Sequence, residues 1–391
     1  MTCKVPEMQE FLMAWRFAIV AIVGGCIALF GVVANAAVAK LCVTSTHYRH
    51  SPFFFLGFVA VFDSLLDLVY ILLLTTPILA EYFDWSYLYY TWIHHVQPLY
   101  MLGHIFKIAS VFCLIVASFE RYMTTRHWTF SGFEYSTKWI VLCLVIFLAV
   151  LIKVFTSIDI VVVLRTECDN YFQRYTVGGH LSRQTWFSGF LNLLTIFLPF
   201  FTLVFLNGGI VLMLRQQNIQ QLRSLITELT MGQEVMKERK RSLREATNTL
   251  IVIISVYLVS NLLNLFLSTV EYVSPELLQK EHIFGYRIAS DCASLLTVCG
   301  NALRCPAYLI TNKNFRNNFR LMFFKEEPKV TVRRLSEKVE NPWFSVLLTS
   351  SNKAFSKEEE NVANGSLKTA DPLLVVFDKN NLRRLSNIGI C

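Results

Sequence analysis

Residues 109–125 read ASVFCLIVASFERYMTT, a long apolar run closed by an adjacent acid and base, Glu120 and Arg121. Charges that end such a run sit where a helix leaves hydrocarbon for headgroups and water, because each is costly inside a bilayer and cheap at its edge. The pattern recurs along the chain. Residues 17–39, 186–214 and 246–270 hold no charge. Four further blocks carry only isolated charges: Asp63 and Asp67, Lys107, Lys153 and Asp159, and Asp291 with Arg304. A helix crosses hydrocarbon in about 20 residues, so each block suffices.

This predicts an all-α membrane protein, a bundle of seven transmembrane helices over 17–43, 53–79, 91–122, 138–164, 186–214, 245–272 and 287–310. No ten-residue alternation recurs, which argues against a barrel, and backbone groups in lipid must be satisfied within the segment. The first block is too long for a cleavable signal and lacks a small-residue cleavage site. The 391 residues are 54% hydrophobic and 16% charged, too apolar for a soluble domain.

Lys and Arg set the orientation. With 1–16 as an extracellular N-terminus, the inner segments hold 14 of them against 6 in the outer ones. The net charge of +8 is therefore a topology signal and not a nucleic-acid footprint. Of ten cysteines, Cys3 and Cys168 fall on the oxidising side and either form one bridge or stay free thiols. Residues 312–324 read as an amphipathic helix on the inner membrane surface, with Phe315, Phe319 and Met322 on one face. Periodic Leu, Ile and Met in loop 215–244 extend the fifth and sixth helices. The polar stretch 325–391 is expected to be a disordered cytoplasmic tail. It carries Arg-Arg-Leu-Ser twice, ending at Ser336 and Ser386, and the cluster Thr349, Ser350 and Ser351, all candidate phosphorylation sites. No zinc-ligand pair, nucleophile elbow or phosphate loop is present, so neither an enzyme, a metal site nor a cofactor is expected. The absence of repeats and of a charged pore line weighs against a transporter or channel.

Seven helices with the N-terminus outside, and Glu120-Arg121-Tyr122 ending the third, resemble the rhodopsin-like G-protein-coupled receptors over roughly 17–323. The spacings carry the resemblance: Asn35 in the first span, Asp63 28 residues later, Pro199 in the fifth, and Tyr308 seven residues before Phe315. It implies that Glu120, Arg121, Tyr122 and Tyr308 form a G-protein switch, with Glu120 neutralising Arg121 in the resting state. The plainer reading of the charge pair is a boundary pair reaching for headgroups.

The chain departs from that pattern in several places. Val96 stands where the family has the cysteine of its outer bridge, Asn261 where the sixth helix has tryptophan, and Asn207 where a tyrosine is common. Arg304 replaces the asparagine of the Asn-Pro-x-x-Tyr motif, here Arg304-Cys305-Pro306-Ala307-Tyr308. A lone arginine inside a bilayer costs roughly 2.5–3.5 kcal/mol even on a lenient scale. It therefore either reaches inward to headgroups or takes a partner. The resemblance makes Asp63 that partner, with Ser110 beside it and Asn35 in the same polar network, where family members often hold sodium. The sixth and seventh helices are most similar to nematode FMRFamide-like neuropeptide receptors.

Gly103 occupies the position where amine receptors of the family carry an aspartate, which argues against a small amine ligand. Tyr100, His104 and Lys107 share one face of the third helix. They are expected to contact ligand, against the alternatives of a polar core histidine and of a lysine paired with Asp67 or Asp159. The outer rim holds Glu271 and Asp291 among many aromatics, chemistry that suits an Arg-Phe-amide peptide. With Asn261 these complete the expected ligand contacts. The expected function is a plasma-membrane receptor for such a neuropeptide, signalling through a heterotrimeric G protein, with arrestin as a further partner of the tail. The alternative is a nematode chemosensory receptor for a small environmental molecule.

Overall fold

The computed structural model describes residues 6–49, 51, 53–126, 132–156, 160–164, 172, 175–179, 186–227, 234–274 and 283–324. Seven long helices run through it. The first is continuous in three segments: Pro6–Arg16, the π-helical Phe17–Gly24, and Gly25–Thr44. Proline is at home at this first helical position, since the amide it lacks has no intrahelical partner there. The second runs through Phe53–Tyr70, a π-helical Ile71–Thr75, and Thr76–Tyr82. The third is Ser86–Arg126, the fourth Tyr135–Thr156, the fifth Trp186–Thr227, the sixth Glu234–Val273 and the seventh Ile283–Thr311. An eighth, Lys313–Phe324, follows at once.

Six of these helices are long and apolar enough to cross a membrane. The seventh carries Arg287, Asp291 and Arg304, yet packs between the first and sixth helices. The third helix touches the second, fourth and fifth, and the fifth touches the sixth, which closes the bundle. Large apolar side chains face outward along it, including Phe205 at 72% exposed and Val259 at 74%. Such a surface is stable only against lipid.

Two expectations about boundaries change. The first helix begins at Pro6, so most of 1–16 is helical and continuous with the span expected from 17. The fourth helix ends at Thr156, short of the expected 164. Ile160–Leu164 instead pairs antiparallel with Tyr175–Gly179, with Val162 opposite Val177. The run IVVVL is mostly β-branched, and branching at Cβ favours the extended backbone. The fifth and sixth helices extend into the segment 215–244, to Thr227 and from Glu234.

Phe315, fully buried, ties the eighth helix to the bundle. Its ring stacks on Tyr308 at 5.3 Å and on Phe53 at 6.1 Å, and tilts against Tyr48 at 5.6 Å. Asn318 donates to the Tyr48 hydroxyl at 2.8 Å. Burial raises the Tyr48 pKa above its ordinary value, partly offset by that bond.

Candidate functional site

Polar side chains gather at three depths of the bundle. At the C-terminal end of the third helix Glu120 is fully buried. Its Oε1 accepts the Phe133 N–H at 3.1 Å and lies 3.4 Å from the Lys138 ammonium. Lys138, 1% exposed, also donates to the Ser51 carbonyl at 2.9 Å, so one lysine joins the third and fourth helices to the first inner loop. Gly132 lets the loop close over the acid: its φ is +100°, and a Cβ there would lie 2.9 Å from Glu120 Oε1. Arg121 is 4% exposed, and among the described residues its guanidinium has no ion pair or hydrogen bond. Glu120 thus has Lys138 as an ion-pair partner in addition to its expected neighbour Arg121, on which its charge also bears. The Tyr122 hydroxyl accepts from Arg126 at 3.3 Å, and its ring lies against Gly209 of the fifth helix. Tyr308 donates to the Leu56 carbonyl at 3.3 Å, anchored on the second helix.

At mid-depth Arg304 donates through Nη1 to Asp63 Oδ2 and, at 3.3 Å, to Ser110 Oγ. Ser110 donates to Asp63 Oδ1 at 2.7 Å, and the guanidinium lies 5.9 Å from the Tyr257 ring centroid. All three polar residues are at most 3% exposed. One turn outward, Asn301 donates to Asp67 Oδ1 at 3.0 Å and Asn35 donates to the Asn301 carbonyl at 3.2 Å. The first, second, third and seventh helices are therefore stitched by polar groups with hydrocarbon around them, where such bonds are hard to replace.

Toward the N-terminal end of the third helix, the Tyr100 and His104 rings lie 4.3 Å apart, and the Lys153 ammonium stands 5.2 Å from the Tyr100 centroid. Lys107 continues the column inward. Asp67, one of its two expected acid partners, bonds to Asn301 instead, and Asp159 lies outside the described residues. Glu271 is exposed at the end of the sixth helix and hydrogen-bonds with Tyr286. Asp291 does not stand open at the mouth, because Arg16 of the first helix donates to it at 3.0 Å. Asn261 donates to the Tyr257 carbonyl at 3.0 Å and meets Asn264, which bonds to Thr297 of the seventh helix at 2.8 Å. It belongs to a contact between those helices. Around the rim Trp85 and Tyr87 are exposed, and Asp84 turns the chain with φ +60°.

Cys3, Cys168, Ser336, Thr349, Ser350, Ser351 and Ser386 lie outside the described residues. The described cysteines are all free thiols, and no group of three metal-ligating side chains occurs among the described residues. Reading the sequence alone missed Lys138, Lys153, Arg16 and Asn301. The lone charge of Lys153 within an apolar span was the available signal for that residue.

The family model for the seven-transmembrane receptors of the rhodopsin family matches residues 34–301. No protein of curated function matches the sequence. Among solved structures the chain is similar to squid rhodopsin, with a TM-score of 0.62, 15% identity, and 82% of each chain covered. An identity that low speaks for the fold alone.

Proposed function

The chain belongs to the rhodopsin family of seven-transmembrane receptors, and from that premise we propose that it is a plasma-membrane receptor for an Arg-Phe-amide neuropeptide. It is a multi-pass, membrane-embedded, G-protein-coupled receptor with an extracellular ligand. The peptide reading rests chiefly on one observation: Glu271 is an exposed carboxylate at the outer end of the sixth helix, hydrogen-bonded with Tyr286, in a chain whose loop ends expose Trp85, Tyr87 and Tyr272. A carboxylate binds a guanidinium through paired charge-assisted hydrogen bonds, and tyrosine and tryptophan faces accept both guanidinium and phenyl rings. In this reading the N-terminus and the hairpin face outward, Tyr100, His104 and Lys107 line the floor of the ligand site, and residues 325–391 form the phosphorylated tail. Asp291, held by Arg16, shapes the wall and does not meet ligand directly.

At the inner end Arg121 is the group offered to the G protein. Its neighbour Glu120 is also engaged by Lys138, so the acid keeps a partner when the inner ends separate and Arg121 turns to the G protein. The test is a second-messenger response in cells expressing the chain, challenged with a panel of Arg-Phe-amide peptides, beside Glu271→Gln. Activation by peptides, with potency falling at least ten-fold in the variant, supports the reading. Activation by small environmental molecules and by no peptide replaces it with the chemosensory one.

A further inference from the structure

The outer half of the bundle has two electrical ends. Glu271 and Tyr286, on the sixth and seventh helices, make the negative end, and the Glu271 charge reaches Tyr100 across the bundle. Deeper, the third and fourth helices make a positive end. Lys153 is 5% exposed with its ammonium 5.2 Å from the Tyr100 ring centroid, and the His104 ring tilts against the same tyrosine at 4.3 Å. His104 lies close enough to Lys153 and Lys107 to feel both charges. Lys107 sits three residues further in, about 4.5 Å along the helix. Among the described residues it has no ion pair and no side-chain hydrogen bond. The nearby acids of the second helix are engaged elsewhere, Asp63 by Arg304 and Asp67 by Asn301.

A cation held within the hydrocarbon layer marks a functional site by default, and Lys107 is such a cation. We propose that Lys107, with His104 one turn outward and Lys153 beside them, forms an anion-accepting subsite that takes a carboxylate of the activating ligand. This rests on the receptor reading above and adds to it. The ligand carries an acidic group inward of the cationic group that meets Glu271. Lys107 lies seven residues beyond Tyr100, on the order of 10 Å along the helix, which is the depth below Tyr100 that the acidic group must reach. The carboxylate comes either from an acidic residue of a peptide or from a small organic acid.

The subsite is tested first without any agonist. Receptor carrying His104→Cys is treated from outside with two thiol reagents of equal size, an anionic sulfonatoethyl and a cationic trimethylammonioethyl methanethiosulfonate. Rates are normalised to a free thiol, and the parent chain is treated in parallel to subtract its own cysteines. The anionic reagent is expected to react at least ten-fold faster, and Lys107→Gln in the same background to remove most of that preference. Equal rates, a cationic preference, or no reaction with either reagent overturns the subsite. Tyr100→Cys serves in the same assay if the first variant fails to reach the surface. The second arm identifies the source of the carboxylate. Arg-Phe-amide peptides with aspartate at one position are compared with their asparagine counterparts, alongside a panel of small carboxylic acids. Aspartate peptides at least ten-fold more potent, with the difference lost in Lys107→Gln, support the proposal. Activation by a small acid alone, weakened in that variant, keeps the subsite and removes the peptide reading. Equal potency of the aspartate and asparagine peptides, in a receptor that both activate, overturns the subsite.

Discussion

The carboxylate of Glu120 lies 3.4 Å from the ammonium of Lys138 on the fourth helix, and not against the guanidinium of its own neighbour Arg121. The pair is shut off from water, with both residues at most 1% exposed. Removing one partner of such a pair leaves a buried charge and costs about 3–5 kcal/mol. Lys138→Met is therefore expected to lower the thermal unfolding temperature in detergent by several degrees. Glu120→Gln added to it should recover at least half of the loss. Unchanged melting in the single variant would remove the pair from the account.

Arg304 fills the space between Asp63 and Ser110 with its own positive charge. Exchanging choline chloride for sodium chloride should leave the melting temperature of this receptor unchanged. Arg304→Asn frees the same oxygens and should create a sodium-specific rise. A sodium effect in the unmodified chain that Asp63→Asn abolishes would contradict the arrangement.

The Asp63–Arg304 contact was legible in the sequence because a lone arginine within an apolar span demands an acid, and the spacing of Asn35, Asp63 and Tyr308 pointed to one. Lys138 was not. Its charge reads like that of any inner-loop cation until the fourth helix is seen to start at Tyr135 and carry it inward. The pairing of Asp291 depends on a first helix that reaches Arg16 and beyond, a boundary that hydropathy does not mark. Ile160–Leu164 is as apolar as the span before it, so only its β-branching distinguished strand from helix end. The count of helices was legible throughout, since seven apolar blocks are a coarse and redundant signal.

Close helix approach at Gly300 offers a test of packing. A Cβ there would come within 2.7 Å of the Ser260 Cβ, so Gly300→Ala forces the sixth and seventh helices apart. Overpacking of this kind costs typically about 1–3 kcal/mol. The melting temperature should fall, and Ser260→Gly in the same chain should restore it. A stable Gly300→Ala variant would show that the two helices pack more loosely than described.

Phe315 carries the junction between the seventh and eighth helices, touching Tyr308, Phe53 and Tyr48. Replacing a buried phenylalanine with alanine costs about 3–5 kcal/mol. Phe315→Ala should reduce surface expression and stability, whereas Phe315→Leu should retain most of both. Surface labelling and thermal unfolding of the two variants check this.

The most direct test of the central claim is a calcium or cAMP response in cells expressing this chain, challenged with Arg-Phe-amide peptides, beside Arg121→Ala at equal surface expression. The account predicts a peptide response that the variant loses. A response that persists in the variant would contradict the role given to Arg121, and silence toward every peptide would contradict the ligand.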